Sequence, residues 1–409
     1  MENYSSASPV LPLPHSLLAL ILAALATIGP FSIDTYLPAF HAIADDLGAT
    51  QVQVQQTLAA YMLPFAFMAL WHGALSDALG RRRVLVVAML LYSVASVTCM
   101  LAPSIEWLWI ARALQGMTAG AGMVVGRAVI RDLLDGAEAQ RLMSQVTMMF
   151  ALAPAVAPLV GGAILAFGGW RSIFAFLALF GLLLGWVSWK MLPETLPQER
   201  RQSLHPVKLG KAYMTVFLRL PFFLLVIAVA CNFNGFFIYV LSAPAFLIEH
   251  LGRSPQAFGW LFVPGVIGMM AGSMLSGRVA GRWSQPRAIA TGFVVMGAAA
   301  TFNVALNMAL PPALPWSVLP IMIYNFGMAL AMPSLTILAL DLFPARRGLA
   351  SSCQSFTQMA FNAFTAAITA PLLWASTLGL ALGMSAYLLL GFGAFVAWRR
   401  TGGVQASGG

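Results

Sequence analysis

The amino-acid sequence predicts an all-α integral membrane protein that crosses the bilayer twelve times. Sixty per cent of its 409 residues are hydrophobic and only 9% are charged, whereas about a quarter of the residues of a soluble domain are charged. The apolar residues form runs of about 20, the length that a helix needs to cross the hydrocarbon core. These runs lie near residues 16–40, 51–75, 84–102, 107–130, 140–167, 170–190, 214–247, 256–280, 287–309, 316–341, 347–374 and 377–398.

The first span is expected to remain in the mature protein. The fifteen residues before it contain Glu2 and neither Lys nor Arg, and no small-residue cleavage site follows the apolar run. A secretory signal peptide would need both features.

The basic residues predict the orientation of the chain. If the N-terminus is cytoplasmic, 18 of the 22 Lys and Arg residues fall in cytoplasmic segments, and only Arg171 and Arg253 face the other side. Arg112 and Arg127 lie within the fourth span. The positive-inside rule therefore places both termini in the cytoplasm. The net charge of +9 reflects this topology and predicts no nucleic-acid partner.

The chain divides into two related halves. The longest polar stretch, residues 193–213, follows the sixth span and predicts a cytoplasmic linker between residues 1–192 and residues 214–409. The segments GALSDALGRRR from Gly73 and GSMLSGRVAGRW from Gly272 are weak copies of each other, about 200 residues apart. No soluble domain is left over.

No enzyme or metal chemistry is predicted. Cys99, Cys231 and Cys353 all fall inside apolar spans and lack any paired spacing, so neither a disulfide nor a metal site is indicated. The sequence contains no recognisable nucleophile motif or phosphate-binding loop near a membrane face. A membrane enzyme or a non-transporting sensor remains an alternative that a catalytic assay would support.

The segment from Gly73 to Arg83 predicts a gate at the cytoplasmic helix ends. Asp77 and the arginines share a tight loop, where Asp77 could face the start of the eleventh span or pair with Arg131. GALSDALGRRR resembles the G-x-L-x-D-x-x-G-R-[RK] loop of the major facilitator superfamily. The resemblance implies two six-helix halves around a midplane substrate site, and a gating role for Gly73, Asp77, Gly80, Arg81 and Arg131. Alternatively, the arginines only anchor the topology.

Two further segments extend the resemblance. RALQGMTAGAGMVVGRAVIRDL matches the superfamily's R-x-x-q-G motif at Arg112 and Gly116, which implies proton coupling in the N-terminal half. APAVAPLVGG, from Ala153, is similar to the antiporter-associated G-P-x-x-G-G signature, although Ala157 replaces the usual glycine. A hinge in the fifth span would use Pro154, Pro158, Gly161 and Gly162, because the two prolines remove backbone donors from one helix face; simple kinking is the alternative.

Asp34 is the only carboxylate well inside a predicted span. A charge at the bilayer centre costs roughly 2.5–3.5 kcal/mol, so it usually marks a partner or a pathway. Asp34 and Arg112 lie about 9 Å and 7.5 Å from the outer ends of their spans, which predicts that they meet at the same depth. Such a group could gain and lose a proton, although a permanent ion pair is the structural alternative.

The motif D-x-Y-L-P at Asp34 resembles the drug-efflux branch that includes the bicyclomycin and chloramphenicol resistance transporters. RDLLDGAEAQRLMS between spans four and five supports the same resemblance. It implies a monomeric secondary active transporter, without cofactors, that exports small amphiphilic drugs in exchange for protons by alternating access. A proton-coupled metabolite symporter or facilitator on the same fold is the alternative.

Polar and aromatic residues that share helical faces are candidates for the drug pocket. Each of them could equally serve helix packing. The candidates are Phe31, Gln56, Tyr61, Gln115, Asn232, Phe236, Tyr239, Gln354, Gln358 and Phe361. A mostly apolar, aromatic pocket of this kind suits varied amphiphilic ligands better than sugars or phosphates.

Overall fold

The computed structural model of the chain describes residues 13–134, 136–201 and 204–401. Glu2, both chain termini and Asp135 of the segment between spans four and five lie outside the described residues. The described part is helical almost throughout and contains no strand. Its helices are α1 His15–Asp34, α2 Phe40–Leu47, α3 Gln51–Leu79, α4 Arg81–Met100, α5 Ile105–Ala119, α6 Ala121–Leu133, α7 Gly136–Met191, α8 Pro206–Phe217, α9 Leu220–Leu241, α10 Gly259–Val279, α11 Gln285–Ala309, α12 Leu319–Asp341, α13 Arg347–Phe364, α14 Ala370–Leu373 and α15 Thr377–Arg400.

These helices form twelve membrane crossings within the described residues. Ten segments are long and apolar enough to span a bilayer. The longest, Arg141–Met191, consists of two helices that meet at a kink. The two are separated at Gly169, whose φ of 72° lies in the region that glycine tolerates. The remaining crossing, the eleventh, runs from α13 through a π-helical turn, Thr365–Thr369, into α14. Its many polar residues explain its low hydropathy.

The predicted start of the seventh span at residue 214 is wrong. Residues Pro206–Phe217 form a separate short helix, α8, and the spanning helix α9 begins only at Leu220. Pro221 occupies the first turn of α9, a position where its missing N–H costs nothing. The Tyr213 hydroxyl donates a hydrogen bond to the Leu70 carbonyl at 2.5 Å, so α8 lies against α3. Part of the predicted linker is therefore helical.

The bundle has two chemically different ends. We call the end that carries Arg81, Arg131 and Arg282 the basic end, because α3, α6 and α10 all finish there. The end that carries Asp46 and Glu249 is called the opposite end. There Arg171 bonds to Asp46 at 2.5 Å and joins the turn between the fifth and sixth spans to the end of α2.

Candidate functional site

A cavity of about 1230 Å³ lies between the spans and receives residues from both halves of the chain. Its wall extends from Pro30 and Asp34 in α1 to Arg131 at the basic end, and includes α9, α10 and α13 on the other side. Seven methionines and five phenylalanines line it. Among the described residues, Asp34 and Arg131 are the only charged ones in this lining. The cavity thus offers large, adaptable apolar contacts with few fixed polar groups.

Asp34 is the last residue of α1 and lies on the cavity wall with 4% of its surface exposed. The chain leaves α1 through a 3₁₀ turn, Leu37–Ala39, which contains Pro38. Within the described part of the chain, no Lys, Arg or His nitrogen lies within 4 Å of the Asp34 carboxyl. The described residues therefore leave this carboxyl facing the cavity without a neighbouring positive charge.

Arg112 does not pair with Asp34, so the predicted contact is wrong for this conformation. Its guanidinium is fully buried and lies 4.4 Å from the ring centroid of Tyr61 and 5.0 Å from that of Tyr36. Nη1 donates to Gln115 Oε1 at 2.5 Å, whereas Nε and Nη2 have no hydrogen-bond partner among the described residues. The role of Arg112 in proton coupling stays a prediction.

Close packing of α3 against α5 places the Tyr61 ring over Arg112. A Cβ atom on Gly116 would lie 2.0 Å from the Tyr61 carbonyl oxygen, so only glycine allows this approach. The rise per residue gives the depth of Asp34 and Arg112, but it leaves open the direction in which each side chain points. Packing turns Asp34 toward the cavity and Arg112 toward the aromatic rings.

Among the ten candidate pocket residues, only Phe236 lines this cavity. Phe31 packs against Phe176 and Phe180. Gln56 and Phe361 do not line the cavity. Tyr61 and Gln115 contact Arg112. Their substrate role stays a prediction.

The other candidates serve contacts inside the C-terminal half. The backbone carbonyl of Asn232 accepts a hydrogen bond from Tyr324, whereas its buried side-chain amide has no hydrogen-bond partner among the described residues. The Tyr239 hydroxyl accepts a hydrogen bond from Asn303 at 2.7 Å. Gln354 donates to Thr336 at 3.0 Å, and Gln358 donates to Asn362 at 3.1 Å. Spacing along a helix groups residues on one face, but it does not say which neighbour that face meets.

Asn362 lines the cavity but is not among the pocket residues predicted from the sequence. It follows Gln358 by four residues and therefore continues the polar face of α13. Asn234, its buried partner from α9, was missed as well, because a single amide in an apolar run resembles an ordinary packing residue.

The gating motif forms an ion cluster inside the N-terminal half. The Arg81 guanidinium, at the start of α4, contacts Asp77 near the end of α3 and bonds through Nε to Asp132 at 3.0 Å. The Arg81 backbone N–H donates to Glu194 at 2.8 Å. The predicted pair of Asp77 with Arg131 is absent, since Arg131 faces the cavity.

The predicted contact between Asp77 and the start of the eleventh span is not formed among the described residues in this conformation. Arg347, at that start, pairs with Asp341 at 2.6 Å instead. Gly80 has a φ of 101°, and a Cβ there would meet the Glu194 carboxylate at 2.5 Å. The motif glycine thus permits the acid to approach the loop. Gly73 lies in α3, where a Cβ would make only ordinary contact with Val124.

The predicted hinge in the fifth span is a contact surface in this structure. The backbone of α7 departs from helical geometry at Gly169 rather than at Pro154 or Pro158. A Cβ on Gly161 would lie 1.9 Å from the Thr35 carbonyl oxygen, and one on Gly162 would lie 3.1 Å from that of Pro255. This helix therefore contacts both α1 and the segment before α10. Its role as a hinge stays a prediction.

Comparison with known proteins identifies the fold. Residues 19–366 match the family profile described as Major Facilitator Superfamily. The chain belongs to the Major Facilitator Superfamily. It is accordingly a multi-pass membrane transporter and not an enzyme, and the twelve-helix fold of the superfamily is confirmed.

Relatives within the superfamily include named resistance proteins. The chain is 35% identical over 340 residues to an uncharacterized MFS-type transporter, YdgK, of Bacillus subtilis, covering 82% of this chain and 84% of that one. It is 31% identical over 319 residues to a chloramphenicol resistance protein of Pseudomonas aeruginosa, covering 76% and 74%. A bacterial homologue of the human lysosomal transporter Spinster shares the fold, with a TM-score of 0.72 at 16% identity over 96% of both chains.

Proposed function

We propose that this superfamily member exports small amphiphilic drugs, of the chloramphenicol or bicyclomycin kind, in exchange for protons by alternating access. The supporting observation is the position of Asp34, a buried carboxyl on the wall of a large apolar cavity that has no basic partner among the described residues. The methionine and phenylalanine lining suits ligands of varied shape. The relative named for chloramphenicol resistance supports the same substrate class.

Exchange follows if drug and proton compete at Asp34. When the cavity faces outward, protonation of the carboxyl weakens its hold on the drug and releases it. When the cavity faces inward, a bound drug favours loss of the proton to the cytoplasm. Each ligand thus shifts the same two-state equilibrium through its preference for one form of the carboxyl. Arg112, which is buried beside the rings of Tyr36 and Tyr61, adjusts through its charge how strongly each ligand prefers one form of the Asp34 carboxyl.

The proposed orientation places the basic end in the cytoplasm, with both termini on that side of the bacterial inner membrane. Because the cavity wall reaches Arg131 at that end, the conformation described above is the inward-facing one. We further propose that one chain transports alone, driven by the proton gradient without a bound cofactor.

The test measures uptake of labelled chloramphenicol into inside-out vesicles with an acidic interior. The native chain should accumulate the drug only while the pH gradient lasts, and Asp34→Asn should abolish that accumulation. Asp45→Asn serves as the matched control, because Asp45 is exposed at the end of α2 and does not line the cavity. Gradient-independent uptake by the native chain would contradict antiport, and gradient-driven loss of drug from the interior would indicate a symporter.

A further inference from the structure

We infer that the side-chain amide of Asn362 binds the transported molecule by donating a hydrogen bond to one of its oxygen acceptors, such as a carbonyl or nitro oxygen. The inference rests on the proposed function, since it names the chemical class that the same cavity takes. It follows from a hydrogen-bond network in the C-terminal half that fixes which atom of Asn362 is left for a ligand.

The orientation of Asn234 is set by the backbone. One atom of its side-chain amide lies 2.8 Å from the Ala230 carbonyl oxygen, which can only accept a hydrogen bond. That atom is therefore the nitrogen Nδ2. The other atom, Oδ1, lies 2.6 Å from the Thr365 hydroxyl, which is consistent with an acceptor there.

The orientation of Asn234 then fixes that of Asn362. Asn234 Nδ2 also lies 3.0 Å from the side chain of Asn362, so the facing atom must be the acceptor Oδ1. Gln358 Nε2 donates to the same oxygen at 3.1 Å. The Oδ1 of Asn362 is therefore held by two donors from two different spans.

The nitrogen of Asn362 is left without a strong partner. Within the described part of the chain its one contact is the Met359 sulfur at 3.7 Å, and a thioether is a weak acceptor. Asn362 is 4% exposed and lines the cavity. A buried donor without a partner is unfavourable, so a ligand that brings an oxygen acceptor gains from meeting it.

This donor gives the C-terminal side of the cavity a defined preference. The lining on this side of the cavity also includes Phe233, Phe236 and Met359, which are apolar and uncharged. A neutral amphiphile with a carbonyl or nitro oxygen satisfies Asn362, whereas a lipophilic cation without an acceptor makes no use of it. Loss of the donor should therefore weaken binding of the first class and spare the second.

The experiment compares equilibrium binding of two ligands to the purified full chain. Chloramphenicol carries nitro and amide oxygens, and tetraphenylphosphonium is a cation without an acceptor. Asn362→Ala should weaken chloramphenicol binding about tenfold, the loss expected for one hydrogen bond, and change tetraphenylphosphonium binding less than about twofold. Thr357→Val is the control on the same helix, because the Thr357 hydroxyl donates to the Cys353 carbonyl of that helix and does not line the cavity. This variant should leave the binding of both ligands unaffected.

Two further variants separate orientation from folding. Asn234→Ala removes the residue that orients Asn362 without reaching the cavity, and should weaken chloramphenicol binding alone, by less than Asn362→Ala does. If Asn362→Ala does not fold in a thermal unfolding assay, Asn362→Ser replaces it, since the hydroxyl can still accept from Asn234. Equal losses for both ligands, or no loss, would overturn the inference alone. A native chain that binds neither ligand would overturn the proposed function as well.

Discussion

The two halves of the transporter treat their buried polar groups in different ways. In the N-terminal half, the side chains of Asp34 and Arg112 are buried and do not pair with each other. The C-terminal half buries neutral amides and hydroxyls, and Asn234, Thr365 and Tyr387 are joined by bonds of 2.6 Å. Unpaired buried charge is sensitive to protonation, whereas a satisfied neutral network holds its geometry. Under the proposed function, coupling belongs to the first half and recognition to the second.

Replacing Arg112 tests the N-terminal side of this comparison most directly. Arg112→Met should lower drug accumulation in the vesicle assay at least tenfold. The free energy of unfolding should stay the same or rise by up to about 4 kcal/mol. The reason is that the folded variant no longer buries a charge without an acidic partner. Accumulation rates and thermal unfolding of the same preparation check both parts. A destabilised Arg112→Met would show that the charge has a partner in the folded state.

Removing one hydroxyl tests the C-terminal side. Thr365→Val should lower the free energy of unfolding by about 1–3 kcal/mol, because Asn234 Oδ1 loses its donor in a buried site. Thr291→Val is the control, since that hydroxyl bonds only to the backbone of its own helix. Thermal unfolding of both variants measures the two losses. Equal losses would show that the Asn234–Thr365 bond adds no more to the free energy of unfolding than a hydroxyl bonded within its own helix.

Asp77→Asn probes the gating cluster, which lies outside both buried sites. The variant loses the charge that contacts Arg81, so transport should slow several-fold while drug affinity stays within about twofold. Initial rates and equilibrium binding measure the two quantities. Asp341→Asn, which breaks the exposed pair with Arg347, is the control. Unaltered transport in Asp77→Asn would remove the gating role.

The smallest effect is expected at the opposite end. His41 Nε2 lies 3.2 Å from Glu249 Oε1 and joins the first span to the seventh, but both side chains are partly exposed. His41→Gln should therefore change the free energy of unfolding by less than about 1 kcal/mol, as is usual for exposed pairs. A larger loss in thermal unfolding would show that this contact holds the two halves together at that end.

The sequence predicted features that depend on local chemistry. The helix break at Gly169 falls between the predicted fifth span, which ends at residue 167, and the predicted sixth span, which begins at residue 170. Asp34 stood out because a carboxylate in an apolar run has few structural uses. The start of the seventh span was misplaced because the apolar residues of α8 resemble the beginning of a membrane helix. Asn362 was missed because helical spacing shows which residues share a face but does not show which helix or cavity that face meets.

Composition and the length of the apolar runs determined by themselves that this chain spans a membrane, because a helix must satisfy its backbone within each crossing. The loop from Gly73 to Arg83 determined the superfamily. Only the tertiary structure decided which side chains meet. The rotation of each helix is set by close contacts such as Gly116 against Tyr61, and these contacts turned Asp34 toward the cavity and Arg112 away from it.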